Sequence, residues 1–400
     1  MVAALAALLA FAPLASATSD PLASGTTSIT LNKGFFKKLK KNGVKVLKVS
    51  PATLKNRKVG LPVTGGSLDP ITGAGTVEHS GGIKFKRGKK TATVNTLVLE
   101  SATSSLKAKV AGKTMKLASV KGYTSSRNGF GTNVSISALK LTGKAAKQLN
   151  KKLGFTGKKK NKQGKKVPVK PLFKGNQTLG SSASETQPKT VAVLPTGSAT
   201  LALSQSAAEK LNNVGPQPEF PKPGPFAVKL GTVSPTSVIA AGPPPTLGFP
   251  IGGGTMSPTA SAGTLQTLGG VTLTQSLEAA PPPGTKGVTT LTMKDIWVDM
   301  STKVATVEVS IENPKTPEAN LGNLGRSSIA DIVLTGAVVS SDPATHTISV
   351  LNASATLQAV TAETLNSVFI TPIEKATGEP QEKFAAGDPL GIFSFTATTQ

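Results

Sequence analysis

The sequence predicts an all-β chain with short helices, laid out as two tandem β-sandwich-like domains that arose by internal duplication. Three observations carry this. Short Val, Leu and Thr runs are punctuated by 41 Gly and 29 Pro in 400 residues, a pattern of strands and turns rather than long helices. Residues 64–85, TGGSLDPITGAGTVEHSGGIKF, align without a gap on GGGTMSPTASAGTLQTLGGVTL, 188 positions later. Further matched blocks then follow in the same order in both halves. Gly66, Pro70, Gly75, Gly81 and Gly82 meet Gly254, Pro258, Gly263, Gly269 and Gly270. Residues of this kind fix backbone shape rather than side-chain chemistry, so the repeat is one of turns and strand edges.

Residues 1–17, MVAALAALLAFAPLASA, are an apolar run ending in the A-x-A pattern of a cleaved signal peptide, although no positive charge precedes it. A buried first helix is the other reading, and Pro13 stands against it. No later run reaches the roughly 18 apolar residues of a spanning helix, so a secreted or envelope-associated protein is expected.

The first domain is placed at residues 25–186 and the second at 197–400. Residues 28–43, SITLNKGFFKKLKKNG, read as a strand and then a helix, with Phe35, Phe36 and Leu39 on one face and Gly43 at its end. TLALSQSAAEKLNNVG repeats this 172 positions on, with Ser206 and Glu209 read as a capping box. VNTLVLE at 94–100 meets MKDIWVD at 293–299. Residues 141–150 meet 357–366, where Thr142 and Thr361 are placed to cap a second helix. FKGNQTLG at 173–180 and FAAGDPLG at 384–391 close the copies. Net insertions fall in the second copy, in the proline-rich segments 216–250, 279–284 and 313–325, which cannot continue a strand ladder. Residues 151–175 read as a Lys-rich loop or linker, too charged to pack.

Charge is divided unevenly. Residues 18–175 hold 34 Lys and Arg against Asp20, Asp69, Glu78 and Glu100, a balance of +30; residues 176–400 hold 11 against 16, a balance of −5. Without cysteine there are no disulfides, thiolate metal sites or cysteine nucleophiles. Hydrolase constellations fail on inventory: no G-x-S-x-G elbow occurs, and His79 and His346 are the only histidines. The glycines at 252–254 lack the lysine of a phosphate-binding loop. A non-enzymatic protein is the expectation.

The order of strand-helix, G-x-x-D-P-x-x-G-x-G-x-V-x-x-x-G-x-I-x-F, VNTLVLE-like strand, strand-helix ending in Leu-Asn, and F-x-x-G-(N/D)-x-x-L-G resembles the HtaA-type domain family of actinobacterial secreted and cell-envelope proteins. The resemblance implies β-sandwiches with short helices and a role in haem capture or transfer. It also implies an iron-ligating tyrosine in the early helix, at positions held here by Lys38 and Lys210. The family's supporting histidine would follow the strand that ends in Arg87-Gly88-Lys89-Lys90. A protonated lysine has no lone pair for iron, so haem is a cofactor by resemblance only and none is certain. The remaining ligand candidates are Tyr123, in the loop KGYTSSRNGFG, and His79. The segment VEHSGGIKF more simply makes His79 a solvent-facing strand residue.

Lysines offer different chemistry. Lys37, Lys38, Lys40 and Lys41 crowd the first helix; Lys84, Lys86, Arg87, Lys89 and Lys90 crowd a hairpin tip; Lys158, Lys159 and Lys160 follow in the loop. Such a field concentrates polyanions and weakens with salt, unless the lysines serve solubility alone. Two functions are therefore carried forward: haem capture, and structural or adhesive binding of anionic cell-envelope polymers. Stacking platforms and helix-turn-helix signals are lacking, so sequence-specific nucleic-acid recognition is not expected. N-terminal sequencing of exported protein is expected to begin near Thr18; recovery of residues 1–17 would remove the signal-peptide reading.

Overall fold

The computed structural model describes residues 19–160, 165–214, 226–242, 244–278 and 286–400. The expected signal peptide, residues 1–17, lies outside them, as do 216–225 and 279–284 of the proline-rich insertions. The chain divides into two compact units between Pro188 and Lys189.

Short apolar runs separated by glycine turns give the first unit its strands. In order these are β1 (Asp20–Leu31), α1 (Lys33–Lys41), β2 (Lys45–Val49), β3 (Thr53–Lys55), β4 (Lys58–Leu68), β5 (Gly75–Arg87), β6 (Lys90–Glu100), β7 (Ser105–Val110), β8 (Lys113–Asn128), β9 (Gly131–Leu141), α2 (Gly143–Leu153), β10 (Lys158–Lys160), β11 (Lys166–Pro168) and β12 (Thr178–Pro188). The sheet runs β5-β6-β7-β8-β9-β12-β1-β4 and closes where β4 pairs with β5, so the all-β body is a barrel-like ring of eight antiparallel strands. Closure leaves few open edges. The inward side chains, among them Leu61, Val77, Leu99, Val134 and Leu139, form one continuous core.

The second unit repeats this plan. Its elements are β13 (Val191–Leu203), α3 (Gln205–Asn212), β14 (Lys229–Val233), β15 (Ser237–Ala240), β16 (Thr246–Met256), β17 (Gly263–Thr267), β18 (Gly270–Ser276), β19 (Val288–Asp299), β20 (Val304–Glu312), β21 (Gly322–Val333), β22 (Val338–Asp342), β23 (Thr347–Leu357), α4 (Ala359–Leu365), a π-turn (Asn366–Ile370), α5 (Thr371–Thr377) and β24 (Pro389–Thr399). Its ring, β19-β17-β16-β13-β24-β23-β21-β20, closes by the β19–β20 pairing. The flanking strand β14 lies on β18 as β2 lies on β5. The Ser50–Pro51 and Ser234–Pro235 peptide bonds are both cis.

The shared glycines sit where chains approach most closely. A Cβ on Gly75 would lie 2.0 Å from the Ser67 carbonyl oxygen, and one on Gly263 would lie 2.1 Å from that of Thr255. Both have positive φ, 142° and 108°. The same backbone is therefore built twice, at the turn that joins β4 to β5 and β16 to β17.

Helix ends follow the sequence only in part. Thr142 caps α2, its hydroxyl accepting from the Ala145 N–H. For α3 the cap is Ser204, which accepts from Ala207, two residues before the expected Ser206–Glu209 box. Thr361 is not a cap either: it lies inside α4 and donates to the Ser328 carbonyl. The Lys-rich segment 151–175 does not bridge the units. It comprises the last turn of α2, the β10–β11 hairpin and the loop before β12, and β12 is itself a member of the first ring.

Gly75→Ala should destabilise the first unit by about 1–3 kcal/mol, since it combines positive φ with a carbonyl clash. Gly88→Ala, at φ 54° with open space around it, should be milder. Chemical denaturation of the two variants checks the order, and equal losses would contradict it.

Candidate functional site

Both helices of the first unit sit at one end of its barrel. β1 enters this end at Leu31 and passes into α1; β9 enters at Leu141 and passes into α2. Asn150 of α2 ties the end together, accepting from the Leu172 and Phe173 N–H groups and donating to the Phe173 carbonyl. Phe173 in turn packs edge-on against Phe35 of α1 and Phe85 of β5, with centroids 5.9 and 5.5 Å apart. A small apolar cavity of about 40 Å3 lies beneath, walled by Leu31, Phe35, Phe85, Leu141, Leu149 and Leu179.

The basic residues expected from sequence converge here. Lys37, Lys40 and Lys41 are exposed on α1. Lys86, Lys89 and Lys90 are exposed on the β5–β6 hairpin, and Lys84 and Arg87 are half-buried. Arg87 anchors that hairpin to α2 by donating to the Leu153 and Gly154 carbonyls and stacking 4.1 Å over Phe155. Lys158, in β10, is exposed just beyond α2; Lys159 and Lys160 share that strand.

Sequence reading missed Lys45 and Lys48 of β2, and Lys151 and Lys152 in the last turn of α2. Lys45 stands directly across from Lys86, an unfavourable like-charge pair in a sheet. Helical periodicity continuing through Leu149 to Leu153 was the available signal for the α2 pair.

All five carboxylates of residues 19–188 occupy the opposite half. Asp20 lies across from Leu68, Asp69 closes the β4–β5 turn, and Glu78, Glu100 and Glu185 face the strand segments toward that end. Lys107 pairs with Glu100 at 2.6 Å and Arg127 with Asp20 at 3.3 Å, both in that half. None of Lys37, Lys40, Lys41, Lys86, Lys89 and Lys90 has a carboxylate within ion-pair range.

The two positions of the implied tyrosine are otherwise engaged. Lys38 donates to the Leu172 carbonyl at 2.7 Å. Burial, and then the charge of Lys174, pull its ammonium below the ordinary lysine range. Lys210 donates to Asp388 at 2.7 Å and to the Lys383 carbonyl at 3.0 Å. Burial opposes its charge, but Asp388 and then Glu382 outweigh that and raise it above the ordinary range.

His79 is not the solvent-facing residue expected. It is 5% exposed inside the barrel, because it shares the inward face with Val77, two residues earlier. Nδ1 lies 3.0 Å from the Leu97 carbonyl, which can only accept, so Nδ1 carries the proton. Nε2 then accepts from the Thr27 hydroxyl at 2.6 Å, and Thr27 accepts from Ser184 at 2.7 Å. Burial, partly opposed by the Leu97 bond, holds the imidazole below the usual histidine range. Tyr123 is half-buried at the carboxylate end, where its hydroxyl donates to the Gly73 carbonyl. The structure thus brings the lysines together and leaves Tyr123 and His79 apart from them and from each other. His346 lies in the β22–β23 turn, at φ 53°.

This is a two-unit, all-β architecture in which each unit carries helices at one end of a closed barrel. No family model and no curated protein matches the chain. Among solved structures it is similar to the C-terminal domain of HtaA from Corynebacterium glutamicum, at 11% identity and a TM-score of 0.34, over 52% of this chain and 99% of that one. The N-terminal domain of the same HtaA is similar at 15% identity and 0.33, over 52% and 98%. The haem-binding protein HtaB of that organism is similar at 11% and 0.30, over 53% and 95%. Each of those chains spans about half of this one.

None of the four ligand positions named from the sequence presents a free donor to a haem iron. Lys38 and Lys210 offer no lone pair while protonated, both ring nitrogens of His79 are used inside the core, and the Tyr123 hydroxyl is spent on Gly73. No cluster of three or more His, Asp or Glu is placed to hold a metal among the described residues.

His79 gives the first unit a pH dependence. The folded-state pKa lies below the unfolded value, so its contribution is complete above about pH 6.5 and is lost as pH falls below that. The loss is bounded by about 1.4 kcal/mol per pH unit for one proton. Apart from the Leu97 carbonyl and the Thr27 and Ser182 hydroxyls, the walls around the ring are aliphatic, and they carry no carboxylate to offset an imidazolium charge. Melting of the first unit should therefore fall between pH 7 and 5, and His79→Gln should flatten that slope; an unchanged slope would assign it elsewhere.

Proposed function

We propose that this chain is a non-enzymatic binding protein of a secreted or envelope setting, whose first unit holds an anionic polymer on its helix-bearing end. The observation that carries this reading is the segregation of charge in the first unit. Lysines from α1, β2, the β5–β6 hairpin and the end of α2 meet at one end, while the unit's carboxylates lie in the other half.

A solubility role needs only net charge, spread anywhere. Here the fold sets Lys45 against Lys86 and leaves the lysines without counter-charges, which costs self-repulsion that a bound polyanion relieves. Lysine presents a mobile point charge rather than a planar fork, which suits a flexible polymer of phosphate or carboxylate groups over a fixed base edge. The units at residues 25–186 and 197–400 act in this reading as a basic binding module and a mildly acidic companion. Haem binding, the property named for HtaB, lacks a suitably placed iron donor among the candidate residues.

The test is binding of inorganic polyphosphate to the full chain. Affinity should fall steeply between about 50 and 200 mM salt as counterions are released. Replacing Lys40, Lys41, Lys86 and Lys89 with Glu should lower affinity more than tenfold and flatten the salt slope. Lys294→Glu with Lys303→Glu, in the second unit, should have little effect. Equal losses for the two sets, or indifference to salt, would reject the site.

A further inference from the structure

The second unit departs from the first in its interior. Phe35, Phe85 and Phe173 fill the space under α1 in the first unit; the corresponding positions of the second are Ala207, Leu273 and Phe384. Two rings are lost and the space stays open. The resulting cavity of about 80 Å3 is walled by Ala207, Leu211, Leu273, Met293, Leu365 and Phe384, against about 40 Å3 in the first unit. Its surface is wholly apolar, so water entering it would find no partners. Native cores seldom leave such volume unfilled.

Only one layer of side chains separates this cavity from the surface. Met293, Ile329, Thr361 and Leu365 line both the cavity and an open groove of about 210 Å3 between β21 and α4. Leu324 and Val360 stand at the groove, 51% and 43% exposed, beside Ser327 and Thr364. The helix that makes the partition is tied to the barrel by Thr361, which donates to the Ser328 carbonyl, and by Asn366, which bonds the Phe384 backbone. α4, the π-turn and α5 form one continuous helical run over residues 359–377, which starts without a side-chain cap and is interrupted in register by the π-turn. Its counterpart α2 has 11 residues, a Thr142 cap and no π-turn before its left-handed Gly154 stop. π-turns of this kind recur where helices serve binding sites.

We propose that the second unit binds the hydrocarbon tail of a single-chain amphiphile, with the tail end in the cavity and the polar head at the groove. The inference is independent of polymer binding by the first unit. A groove alone would suit many apolar partners, but an apolar chamber about half the size of one that takes benzene selects the end of an unbranched chain over a planar ring. A cavity of about 150 Å3 takes a benzene ring, so the chamber admits on the order of three methylene groups and the groove takes the rest of a medium-length chain. The head is less specified, because the Arg326 guanidinium beside the groove is already committed. It stacks 3.9 Å over Trp297 and donates to the Asp295 carbonyl at 2.8 Å.

The experiment is calorimetric titration of the full chain with octanoate, decanoate and dodecanoate, and with monododecanoylglycerol, each below its micellar concentration. One equivalent should bind, with affinity rising about fourfold per added methylene. Stronger binding of dodecanoate than of the glyceride would identify a carboxylate head; equal binding would identify recognition of the tail alone, and both support the site. Ala207→Phe should weaken dodecanoate binding at least tenfold while leaving polyphosphate binding unchanged. Should that variant fail to fold by circular dichroism, Met293→Phe, which narrows the partition, replaces it. No binding of either amphiphile, affinity indifferent to chain length, or full affinity in the folded variant would overturn the proposal.

Discussion

Ring closure is the constraint on which the rest of the structure depends. A sheet of this length would otherwise expose two edges, and the β4–β5 and β19–β20 pairings remove them. In the first unit that seam requires backbone contact too close for any side chain, with Gly66 and Gly75 approaching the Thr76 and Ser67 carbonyls. Gly254 and Gly263 make the same approaches to Thr264 and Thr255 in the β16–β17 pair, the second unit's counterpart of β4–β5. Duplication therefore preserved these glycines while six of the eight residues between them changed.

Closure also decides where chemistry can sit. Once the strands form a ring, the sites free to vary are its interior and its two ends. The helices follow β1 and β9 at the same end, so the charges they carry are pooled with those of the β5–β6 hairpin. A charge count along the chain gives the magnitude of that field. Its direction comes from the ring, which turns the β4–β5 turn and the carboxylates near it away from the helices.

The repeat, the strands and the short helices were legible because they are written in glycine spacing and apolar runs. The α3 and α4 caps were not: Ser204 rather than Ser206 caps α3, and a one-turn choice of start depends on where β13 releases the chain. His79 shows a different failure. The alternating segment VEHSGGIKF reads as placing it toward solvent, yet His79 shares its strand parity with the buried Val77. The core wins because Thr27 and Leu97, 52 and 18 residues away, satisfy both ring nitrogens. Partners at such separations leave no local trace. Lys45 opposite Lys86 was hidden for the same reason, since only strand pairing brings them together.

The two interiors show how one ring supports different contents. Where the first unit sets Thr27, His79 and Ser184 in a buried chain of hydrogen bonds, the second sets Ala199, Thr267 and Phe395. Thr267 keeps the bond to the backbone, donating to the Ile296 carbonyl as His79 donates to Leu97, and Phe395 takes up the volume of the missing imidazole. That exchange conserves volume and removes a titratable group. Under α1 and α3 the exchange runs the other way: Phe35 gives way to Ala207 with no compensating ring. A duplicated core that repacks one layer tightly and leaves the next one open has been relieved of a packing requirement at that layer only. Specialisation of the second unit is therefore to be sought at the unfilled layer, and that of the first in its surface charge.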